Sequence, residues 1–297
     1  FTVNAIDAEA QSSPRLFNII LAAYPTGGTI IEPGAYTGGG YRSHTWTTVG
    51  TNQGGAFVVG AAMTVDILIV AGGGVMLSGA EKELKELAEK LSIPVATALN
   101  AKNSIPWDHP LTVGVPGSYS RSCANKAVCD ADLVFFIGSH TGGQVTHDWR
   151  IPQMGTPVIQ LDINPAELGR SYPIKLGMQG DVKVTLKKMI DNAEQIKPRK
   201  EWIEHIKILV QEWRQDMAPL VNSEKLPMRP ERLCKELTDS LPSDAVLVSD
   251  TGHAGVWTGS MIDFKNPSQS YIRCAGSLGW SIPAAIGAKC AVPERPV

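Results

Sequence analysis

From Asp66 onward the chain alternates short β-branched apolar runs with amphipathic helical stretches, and this rhythm limits its possible folds more than any other feature. "DILIVAGGG" precedes "SGAEKELKELAEKLSIP"; then come "PVATAL", a loop through Trp107 and His109, a helical stretch near Cys123 to Asp130, and the runs "DLVFFIGS" and "PVIQLDI". The runs show little polar–apolar alternation, as strands buried on both faces do, and helices separate them at crossover distances. The expectation is an α/β chain built on doubly wound parallel sheet. Ser78 and Glu81 have the spacing of a capping box, which predicts a helix beginning at Ser78 with Leu84, Leu87 and Leu91 on one face.

Composition breaks near residue 65. Before Val65 the only charged residues are Asp7, Glu9, Arg15, Glu32 and Arg42, lysine is absent, and glycine and threonine are frequent. Within this part "SSPRLFNIILAAY" reads as a helix with Ser13 as N-cap and Pro14 at its first position, and the remainder as short strands and turns. Gly38 to Gly40 lack the Lys-Ser/Thr pair and helix of a phosphate loop and read as flexible turn. Residues 1–65 stay unassigned: a β-rich module, a loop-rich appendage, or truncated or foreign sequence. Residues 66–195 read as a nucleotide-binding-like middle domain. Residues 196–228 read as a helical linker, with apolar Ile203, Ile206, Leu209 and Trp213 on one face of a charged helix over 201–214, and 229–297 as the start of a further domain.

The 27 basic and 29 acidic side chains nearly balance, so neither nucleic acid nor an acidic membrane surface is an expected partner. No apolar run reaches the roughly 18 residues of a membrane span and no signal segment opens the chain, which makes the cytoplasm the default. Five cysteines without a C-x-x-C pair suggest reduced, mostly buried thiols. His140 and His147 lack a third ligand at useful spacing, so no metal site is assigned to them.

Three glycine-bearing strand ends carry the candidate chemistry. Gly72, Gly73 and Gly74 follow the first strand, but Leu77 stands where the dinucleotide fingerprint needs glycine, and the next strand ends at Asn100 rather than an acid. Asp162, ending "VIQLD", is placed for a ribose contact or for a buried turn cap. Further on, "AVLVSD" runs into Thr251-Gly252-His253-Ala254-Gly255 and a helix, an arrangement suited to an anion such as diphosphate. "SYIRCAG" then leads into "CAGSLGWSIPAAIGAK", where glycines around Ser277 and Leu278 let main chain approach a ligand closely. Two such turns at neighbouring ends of one parallel sheet would face one cleft.

Across about 66–297 these motifs, in this order, resemble the thiamine diphosphate enzymes of the acetolactate synthase, pyruvate oxidase and benzoylformate decarboxylase group; "GSLGWSIPAAIGA" is similar to that family's G-T-M-G-x-x-L-P-A-A-I-G-A. The resemblance implies a lyase or transferase acting on a 2-oxo acid with thiamine diphosphate and Mg2+, its active site shared between subunits of a homodimer or homotetramer. It places Leu278 at the position of the apolar wedge that bends the cofactor, where acetolactate synthases usually have Met. The Gly276 carbonyl would accept from the 4′-amino group, the Leu278 N–H would donate to N3′, and Ser277 would lie between them. Gly252, His253 and Ala254 would meet the diphosphate, His253 replacing a common Gln. The family's glutamate is not found: "TNQGGAF" carries Asn52 at the echo of that site, so no catalytic residue is assigned. The Gly-Asp-Gly metal motif is expected beyond Val297, with no metal ligand inside the chain, which by itself is expected to be inactive. The flavin-binding G-A-R-F reads Gly138-Ser139-His140-Thr141, without the arginine, which argues against FAD and leaves FAD or ADP open at Gly72 to Gly74 and Asp162. The alternative is a non-catalytic nucleotide-binding module.

Overall fold

The computed structural model describes residues 2–4, 16–18, 65–194, 199–274 and 276–297; the readings made for Gly38 to Gly40 and for Asn52 lie outside them. Strands β1 (Thr2–Asn4) and β2 (Leu16–Asn18) pair antiparallel, with Thr2 opposite Asn18. The helix expected across Ser13 to Tyr24 is therefore wrong at Leu16–Asn18. A Ser-Pro start signal stabilises a helix by only about 1 kcal/mol, and a partner strand that supplies ladder hydrogen bonds overrides it.

The principal sheet is wholly parallel. Its strands β3 (Ile67–Ala71), β4 (Val95–Thr97), β5 (Thr112–Gly114), β6 (Leu133–Ile137), β7 (Val158–Asp162) and β8 (Leu176–Gln179) lie in the order β5-β4-β3-β6-β7-β8. This is the doubly wound α/β arrangement that the unalternating apolar runs predict, with strand order reversing between β3 and β6. β5 and β8 were not expected. "TVG" and "LGMQ" each contain a glycine and too few β-branched residues to stand out.

After β3 come α1 (Gly73–Leu77) and α2 (Glu81–Leu91). The predicted capping box does not form. Ser78 closes α1, its hydroxyl donating to the Gly74 carbonyl at 2.8 Å, and α2 starts after Ala80 without a side-chain cap. Gly79, at φ 60°, breaks the chain between the two helices, so Ser78 belongs to the turn before the break. The predicted apolar face is correct: Leu84, Leu87 and Leu91 are buried against Ile69, Phe135 and Leu161 of the sheet, together with Val182 and Leu186 of α4 (Val182–Asn192). The opposite face packs Leu68, Val134 and Phe136 against α3 (Ser122–Asp130) and α5 (Lys200–Val221). On α5, Trp202, Ile206 and Leu209 recur at helical spacing and are buried in that layer, while the Trp202 indole donates to the Ile67 carbonyl at 3.0 Å. Each such side chain contributes about 1.5–3 kcal/mol. The helix runs well past the expected end at Arg214, with Pro219 inside its last turns.

α6 (Pro230–Ser240) opens with proline at its first turn, where the missing N–H costs no helical hydrogen bond. Then β9 (Val246–Ser249), α7 (His253–Met261), β10 (Ser270–Arg273) and α8 (Ser281–Ala291) form a second parallel unit, in which Val246 pairs with Ser270 and Ser249 with Arg273. A third core of Leu99, Val115, Cys234, Ile262, Phe264 and Tyr271 joins this unit to the loops after β4 and β5. Of the five cysteines only Cys123 and Cys234 are buried, whereas Cys129 and Cys290 are exposed, so "mostly buried" does not describe them.

Candidate functional site

The register of β9 and β10 brings their carboxyl ends side by side, and the two glycine turns with them. Gly252 caps α7 at φ 67° and ψ −141°, a conformation that side chains resist. No side chain caps that helix end, whose first-turn amides have no partner within the helix and carry the positive end of its dipole. His253 and Ala254 are exposed there. Across the gap, Gly276 sits at φ 92° with open space where a Cβ would lie. Leu278 exposes 83% of its surface and Ser277 is exposed beside it. A Cβ on Gly252 would lie 3.7 Å from the Leu278 methyl Cδ2. All six residues singled out near the two turns are thus brought together.

Residues that sequence reasoning missed tie the turns to each other. Asp250 Oδ1 accepts from the Thr251 N–H at 2.8 Å, while Oδ2 accepts from the Ser281 N–H at 3.1 Å and the Ser281 hydroxyl at 2.9 Å. These donors, those of Ser281 foremost, hold the Asp250 carboxyl below its ordinary pKa. Thr251 Oγ1 accepts from the Gly276 N–H at 3.2 Å. An Asp that ends a strand just before a Thr-Gly turn is a readable turn signal; its reach to Ser281 is not.

The far end of α7 is held by two cations from the principal sheet's loops. Lys102 Nζ donates to the Thr258 and Gly259 carbonyls at 2.8 and 2.6 Å, and Arg121 Nε donates to the Ser260 carbonyl at 2.7 Å. Both complement the negative end of the helix dipole. Lys102 keeps some residue surface, yet the protein around its ammonium desolvates it and pulls its pKa from 10.5 to about 7, with Arg121 acting in the same direction. Arg121 also pairs with Asp263 at 2.5 Å and lies 4.5 Å over the Trp213 ring. At the end of β10, Arg273 donates to Gln144 Oε1 at 3.0 Å and lies over the Tyr119 ring, joining the cleft's rim to the same loops.

The first glycine triplet is occupied by main chain. The Gly72 N–H donates to the Ile137 carbonyl at 2.8 Å and the Gly74 N–H to the Gly138 carbonyl at 2.9 Å. A Cβ on Gly72 would lie 2.2 Å from the Gly138 oxygen. These glycines let two strand ends meet, and two of the three amides are unavailable to a phosphate; Gly73 faces Asn100 instead. Asp162 is buried and caps its own turn, Oδ1 accepting from the Asn164 N–H at 2.9 Å. His140 is exposed, and its carbonyl accepts from Arg170. The residues at these positions do not fit a phosphate cradle for FAD or ADP.

A parallel strand pair whose adjoining ends carry a helix terminus with open amides and an exposed aliphatic side chain is an α/β arrangement suited to a ligand with a charged and an apolar part. Residues 64–189 match the model of the thiamine pyrophosphate enzyme central domain, and 250–297 that of the C-terminal TPP binding domain. The chain is similar to the probable acetolactate synthase large subunit of Methanocaldococcus jannaschii, with 34% identity over 236 residues that take in 76% of this chain and 39% of the relative. It is similar also to the glyoxylate carboligase of Escherichia coli O157:H7 (30% identity; 77% of this chain, 40% of the relative). A third relative is the acetolactate synthase large subunit of Corynebacterium glutamicum (28% identity; 77% of this chain, 37% of the relative). The chain belongs to the thiamine pyrophosphate enzymes of the acetolactate synthase-like kind, thiamine pyrophosphate being thiamine diphosphate by another name. It spans about two-fifths of the length of these curated relatives.

Proposed function

We propose that the protein is a thiamine diphosphate-dependent carboligase or decarboxylase acting on a 2-oxo acid, and that the cleft between the β9 and β10 turns holds the cofactor. The observation that carries this reading is the exposed Leu278 standing against Gly252 at the head of α7. An aliphatic side chain in water beside an anion-receptive helix end suits a ligand with an apolar bend and a charged tail. When bound, the cofactor supplies a nucleophilic carbon for the 2-oxo acid carbonyl and takes up the electron pair left by decarboxylation.

The chain's own residues supply placement. The amides of His253 and Ala254 would receive the diphosphate. The Gly276 carbonyl would accept from the aminopyrimidine, and the Leu278 N–H would donate to its ring nitrogen. The exposed Leu278 side chain would give the cofactor an apolar support and keep water from it. Mg2+ and assembly as a homodimer or homotetramer, in the cytoplasm, belong to the same proposal. Among the described residues no three His, Cys, Asp or Glu side chains are grouped to hold a metal, and no step above runs through one. The names of the relatives, two acetolactate synthases and a glyoxylate carboligase, support carboligation.

The test is carbon dioxide release from a panel of 2-oxo acids by the intact protein, with and without thiamine diphosphate. Release that requires the cofactor is expected. Tight cofactor binding with no turnover of any 2-oxo acid would overturn the activity, and no binding would overturn the site.

A further inference from the structure

We propose that Asp250 is a positioning residue that sets the spacing between the two halves of the cleft, one for the cofactor's diphosphate and one for its aminopyrimidine; this rests on the reading of the cleft just given. Its two oxygens serve different turns. Oδ1 takes the Thr251 N–H at 2.8 Å, immediately before the turn at Gly252. Oδ2 takes the N–H and hydroxyl of Ser281 at 3.1 and 2.9 Å, at the first residue of α8 and just beyond the turn at Gly276 to Gly279. The 31-residue separation of the partners means that no local backbone geometry brings them together. Thr251, held by Asp250 through its N–H, in turn accepts from the Gly276 N–H through its hydroxyl.

A carboxylate suits this place because it offers two acceptor oxygens and no donor. An amide offers a single acceptor oxygen and can serve one turn but not both. The consequence concerns a ligand whose ends are covalently linked: the contacts at its two ends add fully only where the two sites already stand at the ligand's own spacing. Without Asp250 each turn keeps its own donors and acceptors, and only the Thr251–Gly276 bond and the β9–β10 pairing are left to set the spacing between them.

The experiment measures binding of thiamine diphosphate, inorganic pyrophosphate and thiamine to the intact protein and its Asp250→Asn and Ser281→Ala variants by calorimetry, alongside the melting temperature without ligand. Asp250→Asn is expected to weaken thiamine diphosphate about tenfold or more while changing pyrophosphate and thiamine less than about twofold each. Ser281→Ala, which keeps the Ser281 N–H, is expected to give a smaller loss with the same selectivity. Equal weakening of pyrophosphate or of thiamine would make Asp250 a local structural residue and overturn the proposal, as would unchanged cofactor affinity in both variants. Should Asp250→Asn fail to fold, Ser281→Ala decides by the same criterion. A wild-type protein that binds none of the three overturns the reading of the cleft and the proposal with it, whereas wild-type binding with insensitive variants overturns the proposal alone.

Discussion

Leu278 and Gly72 respond to substitution in opposite ways because one side chain faces solvent and the other position faces main chain. Since Leu278 is 83% exposed, Leu278→Ala is expected to alter unfolding free energy by less than about 0.5 kcal/mol. On the function proposed above, the same change is expected to lower turnover about tenfold or more, because the cofactor would lose the side chain proposed to support it. Denaturant titration and steady-state kinetics on one preparation check both halves. Gly72→Ala would set a Cβ 2.2 Å from the Gly138 oxygen and force two strand ends apart. A loss of about 2–3 kcal/mol in denaturant titration is expected. Glycines, a helix start and a bulky apolar residue are local signals, which is why the places of Gly252, Gly276 and Leu278 at two strand-end turns were legible in the sequence. The partnership of Asp250 with Ser281 was not, because it depends on where β9 and β10 lie relative to each other. The glycine triplet was legible as a strand end but not as a close contact of two backbones, since its partner Gly138 lies in another strand's turn.

Among the elements, α7 differs at its two ends: open amides at its head, and the Lys102 and Arg121 side chains on the carbonyls of its tail. The Lys102 ammonium, drawn from a pKa of 10.5 to about 7 chiefly by desolvation, gives a signed prediction. Below about 7 the folded and unfolded chains both keep this proton, and between about 7 and 10.5 the unfolded chain alone keeps it. The contribution of Lys102 to stability therefore rises with pH across that window. The difference in unfolding free energy between wild type and Lys102→Met is expected to shift in favour of wild type as pH is raised from about 7 to 10. A difference that stays flat or falls would contradict it. Strands β3, β4, β6 and β7 were legible as β-branched runs, but β5 and β8 were too short and glycine-bearing to declare themselves. The expected capping box at Ser78 failed for a related reason: the spacing was right, and Gly79 placed the break on the other side of the serine.

In the whole molecule, two parallel units meet across a shared core and a small set of polar bonds. Arg121 spans them: it donates to the Ser260 carbonyl, pairs with Asp263 and stacks on Trp213 of α5. Arg121→Met is expected to cost about 3 kcal/mol, because it strands a buried carbonyl and an aspartate, and to split one unfolding transition into two. Calorimetry with tryptophan fluorescence as a second probe checks this. Doubly wound architecture was legible because strand and helix periods differ along one chain; how the two units dock was not, because Lys102 and Arg121 find their carbonyl partners 139 to 157 residues away. The anchoring of α7 at its far end also carries a consequence for the cleft proposed above. Loosening that tail at Lys102 or Arg121 is expected to lower coenzyme occupancy at the head, and a saturating supply of coenzyme should restore it, since a weakened dissociation constant is answered by mass action.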